Sequence, residues 1–337
     1  MALILVCGGA GYIGSHMVRS LLNAGHTPVV FDSLAKGHAK ALPAGVTLVQ
    51  GDLLAKDDLN ELFSSFAFDA VLHFAARIEV GESVKDPELY YLNNVSGSLN
   101  LLAAMRQARV NKLVFSSTAA VYGNPAQAEI TEDHPLQPIN PYGRSKLMIE
   151  QIIEDFCNAW DLNAVALRYF NASGADASGE IGEAHNPESH LIPNILKAAL
   201  ARQQGASGAN PDQQSVLRVF GNDYNTPDGT CVRDYIHVSD LCAAHLLALN
   251  YLGDFKGKAA FNLGSGSGYS ILEVIAAAEA VTGLKIPYTV APRRAGDPPR
   301  LVANSARARQ VLGWQPRFTN LEDIVRSAWL WECSRQY

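Results

Sequence analysis

Three glycines spaced three residues apart, Gly8, Gly11 and Gly14 in "LILVCGGAGYIGSH", constrain this chain more than any other feature. They follow a short apolar run that reads as a buried strand and lead into a helical stretch over residues 14–24. Glycine at such a turn lets the backbone approach a diphosphate, whose charge then rests against the amides of a helix N-terminus. A tight strand-to-helix turn with no ligand would also need glycine. The next strand-like run ends in "VVFD" and puts Asp32 about 20 residues beyond the glycines, where a carboxylate accepts bonds from adenosine ribose hydroxyls and repels a 2′-phosphate. Together the two features imply a dinucleotide site that takes NAD in preference to NADP.

The same alternation continues. "LILVC", "PVVFD", "VTLVQ", "AVLHF", "KLVFSS" and "AVALRYF" are strand-like, with helical stretches such as 14–24, 87–108 and 142–160 between them. Strands that are apolar throughout, separated by helices, predict an α/β chain built on a Rossmann-type, doubly wound parallel sheet covered on both faces. Beyond residue 172 the pattern loosens. A helix is expected from Pro193 to Arg202, a polar surface insertion at 203–215, and a closing helix near 320–334. "AAFNLGSG" reads as a strand returning to the first sheet. We therefore expect a first lobe over residues 1–172, to which the chain returns around 234–265, and a smaller mixed α/β lobe over 173–337.

With 337 residues, 48% of them hydrophobic and 18% charged, there is enough apolar material for two such lobes. The net charge is −6 and no Lys/Arg block stands out, which argues against nucleic acid as a partner. Five cysteines, odd in number and scattered, suggest neither disulfides nor a zinc site and fit a reducing cytoplasm. The N-terminal apolar run is about six residues long, far short of the ~20 that span a bilayer, so no membrane partner is expected.

"PYGRSK" sets Tyr142 and Lys146 one helical turn apart. The spacing fits an exposed tyrosine lying on a lysine stem, and equally a tyrosine prepared to move a proton. A free tyrosine titrates near ~10, and a positive neighbour, including an oxidised nicotinamide, would pull that down.

With the glycine loop, "HFAA" (73–76), "FSSTAAVYG" (115–123) and "PYGRSK" in this order, the chain resembles the extended short-chain dehydrogenase/reductase superfamily. "YFNASGA", "FGNDYNTPDGTCVRDYIHV" and "RRAGD" make it similar, nearly end to end, to the UDP-glucose 4-epimerase branch of that superfamily. The resemblance implies interconversion of UDP-galactose and UDP-glucose through a 4-keto sugar, with tightly bound NAD. It implies Tyr142 as acid/base, Lys146 as a cation on the nicotinamide ribose and Thr118 as the hydroxyl that orients the sugar 4-hydroxyl. Cofactor contacts would come from Gly8, Gly11, Tyr12, Ile13, Gly14, Asp32, Ser33, Asp52, Leu53, Phe74, Ala75, Ala76, Asn93, Ser116 and Phe170, besides Tyr142 and Lys146. Substrate contacts would come from Asn171, His190, Leu191, Arg218, Phe220, Arg233, Arg294, Asp297 and Leu301, besides Thr118 and Tyr142. No metal is implied, and the family suggests a homodimer.

Three positions depart from the pattern. Ile78 stands where many members carry a lysine near the cofactor phosphates. His190 replaces a frequent asparagine and reads either as a substrate ligand or as a neighbour of a helix N-cap. Leu301 is intermediate between the bulky tyrosine of enzymes restricted to plain hexoses and the small residues of those that take N-acetylated sugars. A 4-epimerase preferring UDP-N-acetylglucosamine or a UDP-pentose is thus the alternative. A nucleotide-sugar 4,6-dehydratase is disfavoured, because Ala119 and Ala120 stand where that class carries its carboxylates.

Overall fold

In the computed structural model, which describes residues 1–125, 129–203, 217–293 and 298–337, the expected alternation is realised. The first half runs β1 (Leu3–Cys7), α1 (Tyr12–Asn23), β2 (Thr27–Asp32), β3 (Thr47–Gln50), α2 (Lys56–Ser65) and β4 (Ala70–His73). Then come the short α3 (Val80–Lys85) and α4 (Pro87–Tyr90), α5 (Gly97–Gln107), β5 (Lys112–Ser116), α6 (Pro141–Trp160) and β6 (Asn163–Tyr169). The rest runs β7 (Asn171–Ser173), α7 (Leu191–Gln203), β8 (Leu217–Phe220), β9 (Val232–Arg233), β10 (Tyr235–His237), α8 (Val238–Tyr251) and β11 (Lys258–Leu263). It closes with β12 (Tyr269–Ser270), α9 (Ile271–Thr282), β13 (Tyr288–Ala291), β14 (Arg300–Leu301), α10 (Ala306–Leu312) and α11 (Leu321–Ser334).

The central sheet has the order β3-β2-β1-β4-β5-β6-β11, and every pairing in it is parallel. Neighbouring residues of β1 go to opposite sides: Ile4 and Val6 pack with α1 and α8, Leu5 and Cys7 with α2, α5 and α6. Both faces are therefore buried, which is why these strands read as continuous apolar runs. The strand order reverses between β1 and β4, and in open α/β sheets ligands bind outside the carboxyl ends at such a switch point. A third core joins α7, α9 and α11 over β8 through Ile195, Leu196, Val274, Ile275, Ile324 and Val325. Around it stand small sheets, β12-β9-β14, β13-β8 and β10-β7. Among the described residues no helix is long and apolar enough to cross a membrane.

One expected helix is divided. Residues 87–108 form α4 and α5 with a wider, π-helical turn over Tyr91–Ser96 between them. In that turn Asn94 is buried; its Oδ1 accepts from Arg77 N at 2.8 Å, and its Nδ2 donates to Arg77 O at 3.0 Å and Ser145 Oγ at 3.1 Å. The wider turn accompanies a buried polar side chain that ties this helix to the loop after β4 and to α6. The insertion expected at 203–215 falls, apart from Gln203, outside the described residues.

Candidate active site

The residues expected to hold a cofactor lie on the segments that leave the carboxyl edge of the sheet. After β1, Gly8 has φ +77°, and a Cβ there would stand 2.5 Å from Ala75 N in the loop after β4. Gly11 caps α1, so the first amides of that helix, at Tyr12, Ile13 and beyond, face the turn. A Cβ at Gly14 would overlap the Gly8 carbonyl oxygen and Gly9 Cα, so only glycine lets α1 sit this close to β1. Asp32, at the end of β2 and 8% exposed, accepts Ala10 N on Oδ2 and Leu34 N on Oδ1, each at 2.9 Å. The carboxylate thus braces the glycine turn and keeps lone pairs for a ribose. Ser33 follows it, Asp52 and Leu53 follow β3, and Phe74, Ala75 and Ala76 follow β4 with two backbone amides on Cys7 O. Asn93 is half-buried in the π turn. The tight backbone approaches and the carboxylate at the strand end fit NAD.

Pro141 and Asn140 set the start of α6; Asn140 Oδ1 accepts Gly143 N at 2.8 Å, a side-chain cap that fixes the first turn. Tyr142 on that turn is half-buried, with the Thr118 hydroxyl close to its own. Thr118 is 7% exposed, and its Oγ1 accepts Ala120 N at 3.1 Å. One turn on, Lys146 is 2% exposed and donates to Ser116 O at 2.8 Å, with the Phe115 ring 4.9 Å away. The Ser116 hydroxyl is paired with Tyr169, and Phe170 leads out of β6. Desolvation pushes the Tyr142 hydroxyl above its ordinary value, and the Thr118 hydroxyl opposes this only in part. Burial holds the Lys146 ammonium down to about 7, against the pull of Glu150.

Residues expected at the substrate are more dispersed. Asn171, on β7, donates from Nδ2 to Asp234 O at 2.8 Å. Arg233 sits beside Leu301 in the β9–β14 pairing and donates to Val232 O and Pro298 O, both at 2.9 Å. Leu301 and Phe170 pack against the cluster of Ala119, Val121 and Tyr122, which brings the residue expected to gate the sugar to the turn that follows Thr118. Arg218 is exposed on β8, with Phe220 at the end of that strand. His190 precedes Leu191, the first residue of α7, and its Nδ1 is hydrogen-bonded to Glu183. The pair raises His190; Glu183, which burial alone would raise, is held at about 2 by His190 and His185. Arg294 and Asp297 lie outside the described residues. Ile78, in place of the usual lysine, is 37% exposed.

The match to known proteins is extensive. The family model described as "NAD dependent epimerase/dehydratase family" matches residues 4–264. The chain belongs to the NAD dependent epimerase/dehydratase family. Its relatives include a UDP-glucose 4-epimerase of Lactobacillus helveticus, 49% identical over 98% of this chain and 97% of that one. The UDP-glucose 4-epimerase of Brucella ovis, solved in complex with NAD, superposes with TM-score 0.91 at 47% identity, covering 98% of each chain. That of Bifidobacterium longum, in complex with NAD+ and UDP, gives TM-score 0.91 at 37% identity over 99% of this chain and 98% of the other.

In this member of the epimerase/dehydratase family the Tyr/Lys pair rests on side chains that sequence reasoning did not single out. Glu150, fully buried on α6, accepts Arg168 Nε at 2.9 Å, Arg168 Nη2 at 2.6 Å and Ser117 Oγ at 2.6 Å. Burial would raise this carboxyl, but the two-pronged arginine outweighs it and holds it below the usual range. Arg168 also reaches Tyr122, whose hydroxyl donates to Asn262 Oδ1 at 2.7 Å. The network ties α6, β6, β11 and the turn after Thr118 into one unit. A signal was available for Glu150, since Tyr142, Lys146 and Glu150 follow at four-residue spacing along one helix face.

Proposed function

We propose that this chain is a UDP-glucose 4-epimerase, interconverting UDP-galactose and UDP-glucose through a 4-keto sugar. The observation that carries this reading is the half-buried Tyr142 close to the buried Thr118, with Lys146 one turn away, at the carboxyl edge of a sheet whose glycine turn and Asp32 suit NAD. When bound, NAD supplies a hydride acceptor and donor. Tyr142 takes the proton of the sugar 4-hydroxyl and returns it, Thr118 orients that hydroxyl, and Lys146 holds the nicotinamide ribose and favours the tyrosinate. Burial of Lys146 and Thr118 limits water at the reacting atoms. Residues 1–172, with the return at 234–265, form the NAD-binding lobe, and 173–337 the UDP-sugar lobe. Asn171, His190, Leu191, Arg218, Phe220, Arg233, Arg294 and Asp297 hold the nucleotide, so that the sugar is free to present either face.

The protein acts in galactose metabolism in the cytoplasm, as a homodimer. The dimer reading is supported by the apolar side chains Val80, Val84, Leu92, Leu99 and Met148, which are 42–63% exposed on α3, the π turn, α5 and α6. A dehydratase reading fails at Ala119 and Ala120, which follow Thr118 and cannot transfer protons. One coupled assay tests the proposal: the pure protein should convert UDP-galactose with no added cofactor, and denaturation should release NAD. Absence of nicotinamide from the supernatant, with an absolute need for added NAD, would overturn it.

A further inference from the structure

The loop between β7 and α7 gathers two imidazoles and two carboxylates that the proposed reaction does not need as a set: Glu183, His185, Glu188 and His190. One donor atom of each lies within 4.8 Å of every other. His185 Nδ1 is 3.1 Å from Glu183 Oε1 and 3.7 Å from Glu188 Oε1, while His190 Nδ1 is 3.9 Å from Glu188 Oε1 and in direct contact with Glu183. Donors on a tetrahedral ion with ~2.0–2.1 Å bonds stand ~3.3 Å apart, so small side-chain rotations would bring all four to that geometry. A second observation points the same way. The Glu188 side chain is only 4% exposed, yet its Oε2 has no hydrogen-bond partner, and neither does the buried His185 Nδ1. Lys197, at 3.8 Å from that oxygen, is too distant to donate to it.

We propose that these four residues form a binding site for a divalent cation of the zinc class. Two imidazoles exclude the all-oxygen shells that magnesium and calcium require, and two glutamates balance the charge of a divalent ion. The scattered cysteines gave no hint of such a site. The frame is already built: Trp331 Nε1 donates to Glu183 O at 2.9 Å, Lys36 Nζ to Asn186 O at 3.0 Å, and His38 Nε2 pairs with Ala184 O at 2.8 Å. A cation here would close the 183–190 segment on itself, while Lys36 and His38 tie that segment to the loop after β2.

Purified protein, with its nucleotide cofactor in place, should be freed of metal with a chelator and titrated with Co²⁺, then Zn²⁺. The expected result is one Co²⁺ per chain with the intense visible absorption of tetrahedral coordination, abolished on adding Zn²⁺. His185→Asn and Glu188→Gln should each weaken Zn²⁺ binding at least ~10-fold, since losing a ligand costs no less than losing its supporting partner. No Co²⁺ uptake, or uptake with only the weak spectrum of a six-coordinate ion, would show a cluster of ion pairs and overturn the proposal. So would binding unchanged in both variants. The wild-type spectrum decides even if a variant does not fold.

Discussion

Tyr142 is half-buried, raised by desolvation, and close to Thr118, a combination that suits a proton carrier more than a surface ring. Replacing it with phenylalanine keeps the packing and removes the transferable proton. Tyr142→Phe should lower turnover at least ~10²-fold, the lower end for a positioned acid/base, with UDP affinity little changed. Steady-state kinetics beside UDP titration check this, and near-normal kcat would remove Tyr142 from the mechanism. Leu301 carries the prediction on specificity. It packs with Phe170 against the turn after Thr118, and leucine leaves intermediate room at the sugar. UDP-N-acetylglucosamine should be turned over ~10- to 200-fold less efficiently than the plain hexose, the discrimination available from a methylene or two of misfit. Leu301→Ser should narrow that ratio and Leu301→Tyr should abolish the N-acetyl activity. Comparing kcat/KM for the two sugars reads this out; equal ratios in both variants would show that residue 301 does not gate the pocket.

The elements that could be read from sequence are those whose signal is local. Glycine spacing, a strand ending in Asp32, and a tyrosine and lysine four apart each sit within one strand–turn–helix unit, and each stands at the carboxyl edge of the sheet. The buried support was not legible in the same way. Glu150 and Arg168 meet across 18 residues, Tyr122 and Asn262 across 140, and nothing in a local pattern says which distant polar groups will be enclosed together. The π turn escaped for a related reason: its Asn94 is drawn inward by Arg77 and Ser145, partners outside the helix. The approach of α1 to β1 yields a prediction at this scale. In Gly14→Ala the added methyl meets the Gly8 carbonyl and Gly9 Cα, backbone atoms that cannot swing away. Overpacking of this kind costs ~1–3 kcal/mol; if it falls on the cofactor-bound turn, NAD should bind ~5- to 150-fold more weakly. Gly81→Ala, whose methyl meets open space on α3, is the matched control and should leave NAD affinity as it is. Fluorescence titration distinguishes them, and equal affinities in both would contradict the role given to the turn.

Across the whole molecule, the proposed function divides the work between two differently built halves. The parallel sheet fixes the glycine turn, Asp32, Thr118 and Tyr142 along one edge. In the proposed function the substrate contacts come from the other half, from Asn171 on β7, Arg233 and Leu301 on β9 and β14, and His190 before α7. Such a division suits a reaction in which the nucleotide is gripped and the sugar is not, because inversion at C4 requires the flat keto sugar to offer its second face before hydride returns. That claim is tested most directly by giving the pure protein UDP-galactose carrying deuterium at C4, with no added cofactor, and following the product by NMR and mass spectrometry. The account predicts UDP-glucose with the deuterium still on C4 and none passed to water. Loss of the label to solvent during inversion would contradict it.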